Sequence, residues 1–128
     1  AKSARPDFLV LSGEDGAFLP FLGLGGDGII SVVSQVATTE MVTLFRAAKN
    51  GDLVYAQKIA YKLANFCKAM FSYPNPIPVK TVLSSLGMME NIFRLPLYPL
   101  DEREKEKLLS DLKEYAFLKT FKTRGFLQ

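Results

Sequence analysis

The chain contains no histidine and no tryptophan, and it has a single cysteine, Cys67, among its 128 residues. Without histidine, the chain cannot form a His–Zn site, a Ser–His or Cys–His dyad, or a histidine general base on its own. A single cysteine excludes an internal disulfide. The helical setting of Cys67 favours a buried structural thiol over a nucleophile, and a free thiol agrees with the reducing cytoplasm that we expect as its location.

Long apolar runs and strong charge of one sign are also missing. No run reaches the ~18 apolar residues of a membrane span, so we expect no membrane partner, and we expect no signal peptide before the first strand. The net charge is +3, and the excess basic residues fall mostly in residues 118–128, which we interpret as a solvated tail. No predicted strand alternates aromatic with basic residues, so nothing favours a nucleic-acid partner.

One segment that is present, GLGGDG at Gly23–Gly28, matches the dinucleotide-binding pattern G-x-G-x-x-G. In a true nucleotide site, a strand precedes these glycines and a helix follows them. Here the order is reversed, because residues 17–24 suit a short helix and residues 28–34 suit a strand. We therefore predict that the glycines end a helix and begin a strand, with Gly25 or Gly26 in the left-handed position.

The first 36 residues predict one βαβ unit. Residues 8–12 and 28–34 are apolar enough to be parallel strands covered on both faces, and the helix between them makes them parallel. Glu14 and Asp15 are placed for the acidic first turn of that helix. Two apolar strands of this kind require neighbouring strands on both edges, and only helices are predicted after them. The pattern therefore indicates the last two strands of a larger α/β protein.

The rest of the chain predicts helices joined by proline-rich links. Thr38 or Thr39 is expected to cap a helix that stops at Asn50–Gly51, and Asp52 to cap the next one. The inward stripe of that second helix comprises Leu53, Ala56, Ala60, Leu63, Cys67 and Met70, widened by Ile59 and Phe66.

Two stiff links and two further helices complete the predicted order. Residues 73–78 and 94–100 each contain prolines that exclude regular helix, and residues 79–87 form a short helix between them. Asp101 and Glu104 form a capping box before the last helix. The predicted inward residues of the last helix are Leu108, Leu109, Leu112, Tyr115 and Ala116.

Four segments, taken in order, carry a resemblance to a known family. They are LVLSGEDG at 9–16, LGLGGDGIISVVSQVA at 22–37, PNPIPVKTVLSSLG at 74–87 and RLPLYPL at 94–100. Together they resemble the C-terminal part of the dihydrodipicolinate synthase family, from about residue 7 to residue 118. The second segment is also similar to the wider group of Schiff-base pyruvate aldolases and lyases, which includes N-acetylneuraminate lyase.

The resemblance implies a fold class, an α/β protein of (β/α)8 TIM-barrel type followed by a C-terminal helical subdomain. Residues 1–36 would be the last two βα strands of the barrel. Residues 37–128 would be the barrel-closing helix and the helical subdomain. A whole barrel takes roughly 250 residues, so the chain would hold less than half of the family's length.

The activity implied by the resemblance is a lyase reaction of the lysine and diaminopimelate pathway. Pyruvate and aspartate semialdehyde condense through a Schiff base on a lysine, in a homotetramer, with no metal and no organic cofactor. The family's catalytic lysine and proton-relaying tyrosines would lie upstream of Ala1. No catalytic residue is therefore expected within the chain, and the 128 residues alone are expected to be inactive.

Four positions match substrate-facing residues of the family. Gly13 and Ile30 match residues whose backbone faces the active site, Ile30 through its carbonyl towards pyruvate. Asn75 matches an asparagine that helps to hold the aldehyde, and Glu14 stands where the family often has aspartate. Their simpler interpretations are a tight turn for Gly13 and Asn75 and a helix-dipole partner for Glu14.

Lys80 is not expected to be the Schiff-base lysine. Such a lysine needs burial or a neighbouring cation to lower its pKa, whereas Lys80 opens a short helix where we expect solvent.

Two alternative functions stay open. One is another pyruvate-dependent aldolase, such as N-acetylneuraminate lyase or a keto-deoxy-sugar aldolase. The other is a non-catalytic remnant that serves as an interaction module.

Overall fold

The structure is a computed structural model that describes residues 5–116 and 118. The chain divides into two compact units whose boundary lies between Cys67 and Lys68, inside one helix. In chain order, the elements are β1 (Leu11–Ser12), α1 (Phe18–Gly23), β2 (Gly28–Ile29), a 3-10 helix (Val33–Gln35), α2 (Thr38–Lys49), α3 (Leu53–Met70), α4 (Ile77–Ser85) and α5 (Glu102–Leu112). Within the described residues, no helix is both long enough and apolar enough to cross a membrane.

The predicted parallel pair of strands is confirmed. Leu11 is paired with Gly28 and Ser12 with Ile29 in a parallel ladder, and α1 forms the connection between them. The Ile30 N–H extends the ladder by donating to the Ser12 carbonyl oxygen at 2.9 Å. In the described part of the chain, these two strands form a two-stranded sheet.

Both strands are shorter than predicted. Residues 8–10 lie outside β1 and residues 30–34 outside β2, and Leu9 and Ile30 are 71% and 75% exposed. After Ile30 the chain turns into the 3-10 helix, because Asp15 accepts hydrogen bonds from the Val32 and Val33 amides. The expectation that Asp15 lies in the first turn of α1 is therefore wrong. That turn contains no acidic residue.

The glycines of GLGGDG end α1, as predicted. Gly25 has a φ of +88°, its N–H donates to the Leu22 carbonyl, and the Gly26 N–H donates to the Phe21 carbonyl, both at 3.0 Å. This pair of bonds is a Schellman motif, which satisfies the carbonyls left free at a helix end. The N–H groups of Gly25 and Gly26 already donate to carbonyls of α1, so they are not free to bind a phosphate. The chain then continues from these glycines into β2. The dinucleotide interpretation is thereby excluded on geometry.

The same ending recurs at α2 and α4. Gly51 and Gly87 have φ values of +81° and +73°, and each donates to the carbonyl three residues earlier, on Ala48 and Ser84. A left-handed φ disfavours residues with a Cβ. The predicted stop at Asn50–Gly51 and the glycine end of the short helix are therefore confirmed.

The predicted N-terminal caps are partly confirmed. The Tyr55 N–H donates to the Asp52 carboxylate at 3.0 Å, and Asp101 and Glu104 exchange both bonds of a capping box at 2.8 and 3.1 Å. The threonine cap of α2 is wrong. Ala37 occupies the N-cap position without a side-chain bond, and the Thr38 hydroxyl donates to the Ser34 carbonyl instead.

The core of the first unit lies on α1, α2 and the inward face of α3. The rings of Phe18 and Phe45 are stacked with their centroids 6.3 Å apart. Along α3, the predicted stripe is confirmed in this unit for Ala56, Leu63 and Cys67 and for the added Ile59 and Phe66, and in the second unit for Met70, all of which are buried. Ala60 is half-buried. Leu53 departs from the stripe, because 52% of its surface is exposed at the first position of the helix.

The second unit contains α4 and α5. Helix α4 begins at Ile77, two residues earlier than predicted, since Pro78 suits a first turn in which N–H groups have no partner. Leu108 and Leu112 of α5 are buried as predicted. Tyr115 and Ala116 lie beyond the end of α5, and Ala116 is exposed. The basic tail lies outside the described residues, apart from Leu118.

Candidate functional site

The carboxyl ends of β1 and β2 bring two of the predicted site residues together. Gly13 directly follows Ser12, and Ile30 directly follows Ile29, and these two strand residues are paired. Parallel strands end at the same edge, which is where α/β proteins place their ligand-binding groups. The Ile30 side chain is 75% exposed, and an ideal Cβ built at Gly13 meets nothing within 4 Å. The edge is thus open on the side of both residues.

Glu14 belongs to the same edge, but its carboxylate is turned towards its own loop. The Gly16 N–H donates to Glu14 Oε1 at 3.2 Å, and the Glu14 N–H donates to the Ser12 hydroxyl oxygen at 3.0 Å. The residue itself is exposed. The other carboxylate oxygen, Oε2, accepts no hydrogen bond from the described residues.

Asp15 is a buried carboxylate beside this edge, with contacts that the sequence interpretation did not predict. It is only 5% exposed. One of its oxygens accepts a hydrogen bond from the Ser31 hydroxyl, and the other accepts the Val32 and Val33 amides at 3.0 and 3.4 Å. The bonds join residues 16 to 18 positions apart, so they tie the loop after β1 to the segment after β2. Only its place after Gly13–Glu14 could have signalled this role.

Asn75 belongs to the second unit, whereas the other three predicted residues belong to the first. It is exposed, in a turn closed by the Ile77 N–H donating to the Pro74 carbonyl at 2.9 Å, and the Asn75–Pro76 peptide is cis. The side chain stands immediately before α4, whose first residues are buried. Its role at the site stays a prediction.

Cys67 is a buried thiol, as predicted, and it lines a cavity of about 510 Å³ between α1, α2 and α3. Burial, followed by the negative charges of Asp15 and Glu14, raises the pKa of the thiol to about 11. The thiolate is the nucleophilic form of cysteine. Cys67 therefore stays protonated at neutral pH and is a structural residue.

Lys80 is half-buried and is held by contacts within its own unit, while its ammonium group stays near solvent as expected. Its ammonium group donates to the Ile92 carbonyl and lies 4.6 Å from the centre of the Phe93 ring. An ammonium group within about 6 Å of an aromatic ring centre is attracted to the face of the ring. These contacts anchor the segment after α4, whereas a Schiff-base lysine requires a free amine.

The polar groups at the open edge are mainly backbone N–H and C=O groups, together with the second carboxylate oxygen of Glu14. Among residues 5–116 and 118, no three His, Cys, Asp or Glu side chains are grouped so as to hold a metal ion. A backbone carbonyl such as that of Ile30 is a fixed partial negative charge, suited to orienting or stabilising a positively polarised group. These groups can accept hydrogen bonds from a ligand or orient a polarised one.

Comparison with known proteins gives one consistent family. A family model described as the Dihydrodipicolinate synthetase family matches residues 1–115. A 4-hydroxy-tetrahydrodipicolinate synthase of Endomicrobium trichonymphae is 47% identical over 118 residues, which cover 92% of this chain and 40% of that protein. The chain thus spans about 40% of the length of the curated relatives it matches.

Solved structures agree with this result. The dihydrodipicolinate synthase of Thermotoga maritima superposes with a TM-score of 0.86 at 45% identity, over 91% of this chain and 39% of that one. A chloride-inhibited dihydrodipicolinate synthase from Acinetobacter baumannii, solved in complex with pyruvate, superposes with a TM-score of 0.81 at 35% identity, over 88% and 39% of the two chains.

Proposed function

Because the chain belongs to the dihydrodipicolinate synthetase family, we propose that it is the C-terminal part of a 4-hydroxy-tetrahydrodipicolinate synthase. Such an enzyme condenses pyruvate with aspartate semialdehyde through a Schiff base on a lysine. In this proposal, residues 1–36 are the last two strands of a (β/α)8 barrel, and residues 37–128 are the barrel-closing helix and a helical subdomain. The lysine and the proton-relaying tyrosines come from the remaining length that the relatives possess.

The single observation that carries this proposal is the open carboxyl edge of the strand pair. In barrel enzymes, the reacting groups sit at the carboxyl ends of the strands. Gly13 and Ile30 occupy those ends side by side, in the ladder register that pairs Ser12 with Ile29. Leu9 and Ile30, which flank the paired residues, are exposed, and they leave apolar surface beside the sheet for further strands of a barrel.

The proposed roles follow from the groups available. The Ile30 carbonyl oxygen, directed at bound pyruvate, would stabilise the positive charge of the iminium that pyruvate forms with a lysine. Gly13 leaves room for the substrate beside the backbone, since it has no side chain. Glu14, with one free carboxylate oxygen, and Asn75 would hold the aldehyde by hydrogen bonds.

Two further features belong to the proposal. The 128 residues alone are expected to show no turnover, since the chain supplies binding groups but not the nucleophile. The active form is expected to be a homotetramer that includes the other barrel strands. One solved relative, 46% identical, is described as a monomeric variant, so sedimentation of the active form must decide its oligomeric state.

A hybrid enzyme tests the proposal. The chain replaces the matching C-terminal part of the 4-hydroxy-tetrahydrodipicolinate synthase of Thermotoga maritima, to which it is 45% identical. The purified hybrid is treated with pyruvate and borohydride, and its intact mass is measured. We expect the mass to rise by one reduced pyruvate, and steady-state turnover to appear when aspartate semialdehyde is added.

The controls separate failure of folding from failure of function. The unmodified Thermotoga enzyme must form the adduct, and the 128-residue chain alone must not. Circular dichroism and sedimentation establish that the hybrid is folded. A folded hybrid that forms no adduct would reject the proposal, and one that forms the adduct but does not consume aspartate semialdehyde would move it to another pyruvate-dependent aldolase.

A further inference from the structure

We propose that Asp15 is a positioning residue that holds the Ile30 carbonyl in place at the carboxyl edge of the strand pair. The inference rests on the function proposed above, in which that carbonyl faces pyruvate. It assigns a role in the reaction to a side chain that would not touch the substrate. It also explains why a carboxylate is buried beside an open site.

Both carboxylate oxygens of Asp15 accept hydrogen bonds from the segment that follows Ile30. Its Oδ1 accepts from the Ser31 hydroxyl, and its Oδ2 accepts from the Val32 and Val33 amides. The Ser31 hydroxyl oxygen in turn accepts from the Ser34 N–H at 2.7 Å. A carboxylate that accepts several such bonds has its geometry closely set, and removing it leaves buried donors without partners.

The Ile30 peptide group is therefore constrained from both sides. On its N-terminal side, the Ile30 N–H donates to the Ser12 carbonyl at 2.9 Å, which fixes it to β1. On its C-terminal side, Ser31 and Val32 are fixed to Asp15. Because each peptide unit is planar and each residue has only two soft dihedral angles, the direction of the carbonyl between these anchors is set by them.

Direct binding of substrate by Asp15 is disfavoured by the same contacts. The residue is 5% exposed, and each oxygen already has a partner within the chain. A substrate group would have to displace the Ser31 hydroxyl or a backbone amide. Asp15 thus acts through the residues that it holds.

Asp27 offers a matched control at the opposite end of the same strands. Its Oδ2 accepts the Val10 N–H at 2.8 Å, across 17 positions, as Asp15 does with Val32. The substitutions Asp15→Asn and Asp27→Asn therefore make the same chemical change, at the carboxyl edge and at the amino edge. Ser31→Ala is a milder variant, which removes one partner of Asp15 and keeps the two amide bonds.

The first experiment measures hydrogen exchange at the Val32 and Val33 amides in the hybrid enzyme. We expect both amides to be protected in the unchanged protein, to lose protection in Asp15→Asn, and to keep it in Asp27→Asn. Equal protection in all three proteins would overturn the proposal. An absence of protection in the unchanged protein would overturn it as well, because the Asp15 contacts would then not persist in solution.

The second experiment measures steady-state kinetics of the same variants. We expect Asp15→Asn to raise the KM for pyruvate about tenfold or more, with the KM for aspartate semialdehyde unchanged. Ser31→Ala should show a smaller rise, and Asp27→Asn should leave both constants within twofold. A merely structural role predicts equal effects on both substrates, or equal effects of Asp15→Asn and Asp27→Asn, and either result would overturn the positioning role.

The two proposals fail in different ways. If the unchanged folded hybrid forms no pyruvate adduct, the proposed function is rejected, and the exchange data still decide whether Asp15 fixes the segment after Ile30. If the adduct forms but Asp15→Asn leaves the KM for pyruvate unchanged, only the positioning role is rejected.

Discussion

Replacing Gly26 by alanine is expected to destabilise the first unit through one specific collision. An ideal Cβ at Gly26 would lie 2.1 Å from Cε1 of the Phe21 ring, 2.3 Å from Cδ1 and 2.8 Å from Cζ. Carbon atoms in good contact are about 3.5–4.0 Å apart, so the ring or the backbone must move by more than an ångström. The same two residues are joined by the Gly26 N–H donating to the Phe21 carbonyl at 3.0 Å, which limits how far they can separate.

The size of the effect follows from overpacking. Inserting a methyl group into a filled site costs about 1–3 kcal/mol, and Phe21 is half-buried, so part of the strain can be relieved by rotating the ring. We therefore expect Gly26→Ala to lower the free energy of unfolding by about 2 kcal/mol. For a chain of this size, that corresponds to a fall in Tm of roughly 6–10 °C.

Urea unfolding of three variants isolates the collision. Gly23→Ala is the matched control, since its Cβ would meet nothing within 4 Å, and alanine at this last helical residue is stabilising by up to about 1 kcal/mol. Combining Gly26→Ala with Phe21→Ala should recover much of the loss that Gly26→Ala alone causes. If Gly26→Ala and Gly23→Ala have the same stability, or if the double variant shows no coupling, the collision does not occur and the reasoning is wrong.

Three further predictions concern single groups. Gly25→Ala should cost about 1–2 kcal/mol in urea unfolding, because φ at this position is +88°, although no neighbour obstructs it. Asp101→Ala removes the capping box and should cost about 1 kcal/mol, whereas Asp101→Asn should cost a few tenths; equal losses would contradict the cap. The pKa of Cys67 is raised from 9.0 to about 11, so the unfolded thiol ionises first. The free energy of unfolding should then fall between about pH 9 and pH 11, and the fall should be smaller in Cys67→Ser, which keeps only the contribution of other groups such as Tyr73, whose pKa is also raised.

Local rules succeeded where the deciding contact is close in the chain. The glycines Gly25 or Gly26, and Gly51, are predicted as helix ends because a left-handed glycine commonly follows the last turn. The capping box at Asp101 was identified because its two partners are three residues apart. In each case a few consecutive residues contain the whole physical cause.

Local rules failed where the deciding contact is distant. Residues 31–34 have the composition of a strand, yet Asp15, at a separation of 16 to 18 residues, accepts hydrogen bonds from Ser31, Val32 and Val33, so this segment leaves the ladder. Thr38 is a residue type that favours the N-cap position, yet its hydroxyl donates a hydrogen bond to the Ser34 carbonyl. Such competition depends on the folded backbone and has no counterpart in a short window of sequence.

Which residues lie at the candidate site can be predicted only as far as the pairing of the two strands can be predicted. Once residues 8–12 and 28–34 are interpreted as parallel neighbours, their carboxyl ends must meet at one edge, whereas the register that places Ile30 beside Gly13 comes from the shorter strands of the structure. The side-chain arrangement of that edge was not predictable. The preference of Glu14 for its own loop and the burial of Asp15 arise from hydrogen bonds that several nearby donors could equally have made.

The two aspartates at the ends of the strand pair have a consequence for its alignment. With only two ladder positions in each strand, side-chain alternation offers little to distinguish the native register from one shifted by a residue. A shift of one residue moves the strands by about 3.3 Å. This would break the bond from Val10 to Asp27 at one end and the bonds to Asp15 at the other. The two carboxylates therefore favour one register through contacts outside the ladder, so the alignment depends less on the apolar residues between them.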